Sequence, residues 1–121
     1  MGGFGGALKN MSIGVASSHG KGNIHCSGGP FNKFEDMFAA DQDSFLESMA
    51  DADKAVMDYM GRENIVYVNV ANRLSVDCDY DSHPAEPEMA DLGIFASTDP
   101  VALDQACVNA VYNSADPGKA L

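Results

Sequence analysis

Asp91-Leu92-Gly93-Ile94-Phe95-Ala96-Ser97-Thr98-Asp99-Pro100-Val101-Ala102-Leu103-Asp104-Gln105-Ala106 decides how this chain is read. Leu92 to Ala96 is an apolar run of strand length, uniform enough to predict burial on both faces, and it sets a strand over 91–97. Ser97-Thr98-Asp99-Pro100 ends it. Asp99 suits an N-cap, because its carboxylate can accept from the first orphan N–H groups of a helix. Pro100 fits the first helical position, where no N–H is needed. Leu103, Ala106, Cys107, Ala110 and Val111 then recur on one face, which predicts a helix over 100–112. Cys107 on that face reads as a small buried hydrophobe. Asp104 reads as a hydrogen-bonding residue within the core. Asn113 to Leu121 reads as a frayed tail.

Upstream, Ile65-Val66-Tyr67-Val68-Asn69-Val70 is rich in β-branched residues and predicts a second strand over 64–71. Between the two strands lies Val76-Asp77-Cys78-Asp79-Tyr80-Asp81-Ser82-His83-Pro84-Ala85-Glu86-Pro87-Glu88. No other segment gathers so many possible metal donors. Asp77, Asp79, Asp81 and Glu88 match ligand positions of a calcium-binding EF-hand loop. Ser82 stands where that loop needs glycine, Pro84 and Pro87 interrupt it, and a strand precedes it in place of a helix. An EF-hand is therefore set aside, leaving a looser cation site against a solvated acidic turn. A softer metal such as zinc or iron would instead use Cys78 and His83, joined by His25 or Cys26 from upstream.

Phe45, Met49, Ala52, Val56 and Tyr59 form one helical stripe, with Asp43, Glu47, Asp51, Lys54 and Asp58 on the other side. Asp41 as N-cap and Gly61 as stop bound a helix over 42–60. Phe34 and Phe38 would extend the stripe backwards. Ser17 to Pro30 reads as a glycine-rich loop, and Gly20-Lys21-Gly22 within it could cradle an anion through backbone N–H groups and the Lys21 ammonium. It lacks the full order of a phosphate-binding loop. Ala7 to Ser17 reads as a short helix, with Lys9 and Asn10 as a polar pair near its start. Nucleophilic catalysis finds no support: there is no G-x-S-x-G, and Ser18-His19 are merely adjacent in sequence.

At 121 residues and 45% hydrophobic content the chain is the size of one domain, read as a single domain over 1–121. Eighteen acids against seven Lys and Arg give a net charge of -11, which argues against nucleic acid and anionic membranes as partners. Three cysteines without a C-x-x-C pair argue against a disulfide scaffold and for a reducing, cytoplasmic setting. No apolar run reaches spanning length.

Three blocks carry a family resemblance. They are Gly6-Ala7-Leu8-Lys9-Asn10 with Gly20-Lys21 and His25; Asp77-Cys78-Asp79; and Asp91 to Ala106. Together they resemble domain-of-unknown-function family 362, often labelled uncharacterised iron–sulfur centre proteins, over most of residues 6–108. Many members carry a ferredoxin-like cysteine insert between the Gly-Lys…His block and the strand. Here Phe31 to Asn64 holds no cysteine. Cluster ligation needs about four thiolates, so no iron–sulfur cluster is expected within one subunit. The family's Asp-Cys-Asp-Cys stands here as Asp77-Cys78-Asp79-Tyr80. The family domain also extends past both ends of this sequence, which implies pairing with another subunit.

The expectation is thus an α/β protein: a small mixed sheet flanked by helices and completed by another subunit. Its candidate anion or cofactor contacts are Lys9, Asn10 and Lys21. Its candidate divalent-metal ligands are His25, Asp77, Cys78, Asp79 and His83, expected to gather near the C-terminal end of the strands, where open α/β sheets bind ligands. The rival reading is a non-catalytic subunit or assembly module that oligomerises through its sheet edge.

Overall fold

A computed structural model describes residues 6–75, 83 and 85–120. The fold is mixed α/β, and the chain forms two compact units, Met1–Ile65 and Val66–Leu121.

The first unit is helical. Helix α1 (Ala7–Lys9) passes directly into a π-helical turn, Asn10–Gly14. The single α-helix expected over 7–17 is thus α-helical only at its start. Ser12 gives a local reason: its hydroxyl donates to the Leu8 and Lys9 carbonyls (2.8 and 3.1 Å), competing with the backbone ladder. Helix α2 (Ser18–His25) occupies what reads in sequence as loop. Ser17 caps it, its hydroxyl accepting from the Gly20 N–H at 3.1 Å. Gly22 is buried against Phe31, and a β-carbon there would lie 2.2 Å from that ring. The glycine that weakens the helix in isolation is what lets it pack.

Phe34 and Phe38 do not extend the long helix. They sit on a separate 3-10 turn, Phe34–Phe38, set off by the Asp36 carboxylate, which accepts from the Asn32 and Lys33 N–H groups (2.9 and 3.0 Å). Helix α3 (Gln42–Met60) starts where Asp41 accepts from the Ser44 N–H at 3.0 Å. It ends at Gly61, whose φ of 80° suits glycine best. Helix α3 packs on α1, the π turn and α2. Its inner face follows the expected stripe over Phe45, Met49, Ala52 and Val56, all half-buried, with Asp43, Glu47, Asp51, Lys54 and Asp58 exposed; it departs at Tyr59, 89% exposed, and at Asp53, 1% exposed. A 3-10 turn, Arg62–Asn64, leads out of it.

In the second unit, β1 (Tyr67–Ala71) pairs antiparallel with β2 (Gly93–Ser97), Tyr67 opposite Ser97 and Ala71 opposite Gly93. Helix α4 (Pro100–Asn113) packs on both strands. Its cap is the expected one: Asp99 accepts from the Val101 and Ala102 N–H groups at 2.9 and 3.0 Å. Leu103, Val111, Tyr67, Ala71 and Met89 are buried in this unit.

Three readings change here. First, β2 is not buried on both faces, because α4 covers only one and Ile94 is left 72% exposed. Second, antiparallel strands have no shared C-terminal edge on which ligands could gather. Third, the terminal segment is anchored. Asp116 accepts from the Ala90 and Gly118 N–H groups at 2.9 and 2.8 Å. Gly118 lies so close to the Glu88 carbonyl that a β-carbon there would sit 1.7 Å from its oxygen. Among the described residues, no helix is long and apolar enough to cross a membrane.

Candidate functional site

His25 is the best-defined candidate. It is the last residue of α2, and its Nδ1 lies 2.7 Å from the Lys21 carbonyl oxygen. A carbonyl only accepts, so Nδ1 carries the proton and donates. In the neutral ring this leaves Nε2 with the lone pair. The ring stacks on Phe45 of α3, centroids 5.0 Å apart at 27°, which fixes its plane. Local sequence produces this arrangement, since residues four apart on a helix share a face and Phe45 lies on the apolar stripe of α3.

Lys21 is half-buried in the middle of α2. The backbone cradle expected at Gly20-Lys21-Gly22 does not form. The Gly20 N–H donates to the Ser17 hydroxyl and the Lys21 N–H to the Ser17 carbonyl (2.8 Å), so both serve the first turn of the helix. Lys9 closes α1, and Asn10 opens the π turn with its side-chain amide donating to the Gly6 carbonyl at 3.1 Å. That bond uses one of the two amide protons.

Cys26 follows His25 at the end of α2. It lines a cavity of about 250 Å³ with Gly29, Pro30, Asp36, Ala39 and Ala40. Asp36 is held below the ordinary aspartate value of 3.8, first by the Asn32 N–H and then by the Lys33 N–H. Its carboxylate is thereby engaged in the turn.

In the second unit His83 is exposed. Asp77, Cys78, Asp79 and Asp81 lie outside the described residues. Among the described residues no group of three or more His, Cys, Asp or Glu is placed to hold a metal ion.

One polar cluster escapes sequence reading. The Asn69 amide on β1 donates to Asp104 Oδ1 at 2.8 Å and reaches Cys107 Sγ at 3.5 Å, both on α4. Asp104 thus hydrogen-bonds within its unit, and Cys107 is half-buried beside an amide instead of being a plain hydrophobe. The signal was present but ambiguous: Asn69 is the one amide in an otherwise apolar strand run, and Asp104 and Cys107 stand three apart on a helix.

Comparison with curated proteins and with solved structures finds no match. Against protein families, a match described as Domain of unknown function (DUF362) spans residues 1–109. With nine-tenths of the sequence inside that match, this chain belongs to the DUF362 family.

Proposed function

We propose that this DUF362 chain binds a divalent metal ion, in the service of a reaction not yet defined. The observation supporting this most directly is the His25 Nδ1–H bond to the Lys21 carbonyl. A histidine that ligates a metal through one nitrogen almost always donates the other to a carbonyl or carboxylate, which fixes the tautomer and raises the ligand's basicity. His25 has that second partner, and Phe45 holds its plane. In the second unit the candidate donors are Asp77, Cys78, Asp79 and His83, a thiolate, imidazole and carboxylate set suited to zinc or ferrous iron. Lys9, Asn10 and Lys21 are the candidates for holding an anionic substrate. Three cysteines fall short of the roughly four thiolates a cluster needs, so the proposal is a mononuclear metal and not an iron–sulfur cluster.

The test is metal uptake by protein purified without oxygen, followed by calorimetric titration with zinc or ferrous iron. His25→Ala and Cys78→Ala should each weaken affinity by more than the roughly 10–100-fold that follows loss of an outer partner. A metal-free protein whose two variants keep wild-type stability and uptake ends the reading.

A second reading is supported by the sheet. Two strands are marginal alone, and β1 and β2 are each paired with only one neighbour among the described residues. This favours a non-catalytic assembly module that oligomerises through its sheet edge.

A further inference from the structure

The cavity at the end of α2 has no role in the readings above. Cys26, Gly29 and Pro30 line it from the turn that leaves α2, and Asp36, Ala39 and Ala40 from the 3-10 turn and the residues after it. Pro30 and Ala39 are exposed, so it opens to solvent. At about 250 Å³ it is smaller than the ~300–1,000 Å³ of drug-sized pockets, and its guest is correspondingly small.

Two groups in the lining have bonding capacity left over. Asp36 accepts from the Asn32 and Lys33 N–H groups, both at Oδ2, and no donor among the described residues reaches Oδ1. The Cys26 thiol is free, with no hydrogen bond to its sulfur among the described residues. The turn between them is tightly set. The Gly29 N–H donates to the Cys26 carbonyl at 2.8 Å, and a β-carbon at Gly29 would lie 2.9 Å from that oxygen. Ser27 is held at φ 52°, where non-glycine residues are uncommon, and its hydroxyl is buried without a hydrogen-bond partner. Both features work against the stability of the turn, and strained backbone of this kind clusters at ligand sites.

We propose that this cavity binds a small organic ammonium ion, a primary alkylamine in its protonated form. The lining selects that class. The two N–H groups on Oδ2 hold Asp36 below the ordinary aspartate value of 3.8, so the carboxylate is an anion at neutral pH and repels an anionic guest. Lys33, the cation that bears on it, is exposed, where solvent and salt screen its charge. A neutral apolar guest would cover the carboxylate without giving Oδ1 a partner. One carboxylate and one thiol fall short of the three protein ligands of a catalytic zinc site, and Pro30, Ala39 and Ala40 offer a metal nothing. They suit methylene groups. An ammonium head brings three donors, which Asp36 Oδ1 and the Cys26 sulfur can accept, the second weakly. A guest of about five non-hydrogen atoms in an open cavity binds with a dissociation constant on the order of millimolar. Asp36 is no ligand in the metal reading, so the two proposals stand or fall separately.

Titration of the full chain with n-butylammonium chloride, followed by amide chemical shifts at neutral pH and constant ionic strength, tests this. The Gly29, Asp36, Ala39 and Ala40 amides should shift together and saturate with one dissociation constant. Tetramethylammonium, which has the charge but no N–H, and butyrate, which has the chain but the opposite charge, should produce no saturable shift there. Asp36→Asn keeps an oxygen for the turn and removes the charge, and should weaken binding by about tenfold. Should that variant fail to fold, Ala39→Leu fills the cavity from an exposed position and should abolish saturation with Asp36 intact. The amide spectrum itself shows whether each variant is folded. No saturable shift up to about 50 mM butylammonium overturns the proposal. So does equal binding of tetramethylammonium, which would mean charge attraction without a site, and so does binding that survives both substitutions.

Discussion

Asn69 shows how much one side chain can carry in a small unit. Its amide ties the middle of β1 to α4 through the Asp104 carboxylate at 2.8 Å. A hydrogen bond to a charged group contributes about 1.5–3 kcal/mol. Asn69→Leu should therefore lower stability by about that amount. Asn69→Asp should cost more, since it sets two carboxylates at hydrogen-bond distance with no donor between them. Urea unfolding with an unchanged denaturant slope checks both, and an aspartate variant as stable as wild type would show that the pair carries no load. His25 is the counterpart in the first unit: one nitrogen is committed to the Lys21 carbonyl and the ring is clamped on Phe45.

The elements obey local rules at their ends and tertiary rules along their length. Helix α4 begins at an aspartate followed by proline, and Asp99 bonds two of its orphan N–H groups. Asp99→Ala should cost about 1 kcal/mol, and Asp99→Asn, itself a good cap, should recover most of it. Thermal melts of the two variants separate a capping role from a purely electrostatic one, which asparagine would not rescue. Helix α3 was legible from Asp41 to Gly61 because its signals are local: a capping carboxylate, a glycine stop and a run without proline. Its inward side was legible as well: Phe45, Met49, Ala52 and Val56 are half-buried while Asp43, Glu47, Asp51, Lys54 and Asp58 are exposed. Two positions were not, Asp53 being buried and Tyr59 exposed, because neighbouring elements decide which part of a helix is covered. Helix α2 was missed because its packing, too, is decided by its neighbours. Its glycines argue against a helix by propensity, but Gly22 makes room for Phe31 and the packing outweighs the entropy cost.

Across the whole chain, acid is the simplest global probe. Asp36, Asp41, Asp58 and Asp116 are all held below the ordinary aspartate value of 3.8. The largest causes are the Asn32 N–H for Asp36, the Ser44 N–H for Asp41, the Lys54 side chain for Asp58 and the Ala90 N–H for Asp116. An unfolded chain lacks these partners and takes up protons at the ordinary value. In that window the unfolded state holds more protons, so stability rises with pH. Their contribution is complete above the ordinary value and is lost as pH falls through the lowered ones. The urea midpoint should be nearly flat from about pH 6 to 5 and fall below about pH 4, and Asp116→Asn should shallow that fall. Asp41 and Asp58 are exposed and Asp36 and Asp116 only half-buried, so the slope should be gentle. A midpoint that rises on acidification would contradict the assignment.

The sequence by itself determined the features that depend on neighbours within a few residues: the capped helices α3 and α4, the two strands, and the block pattern that marks a DUF362 chain. Caps, stops and periodicity are short-range interactions, and each can be read where it stands. Tertiary structure alone decided that the strands run antiparallel, that one sheet face is covered and the other open, and that Asn69 meets Asp104 and Cys107. Those outcomes depend on which surfaces meet after the chain closes on itself, and residues 35 and 38 positions apart carry no local mark of the partner they will find.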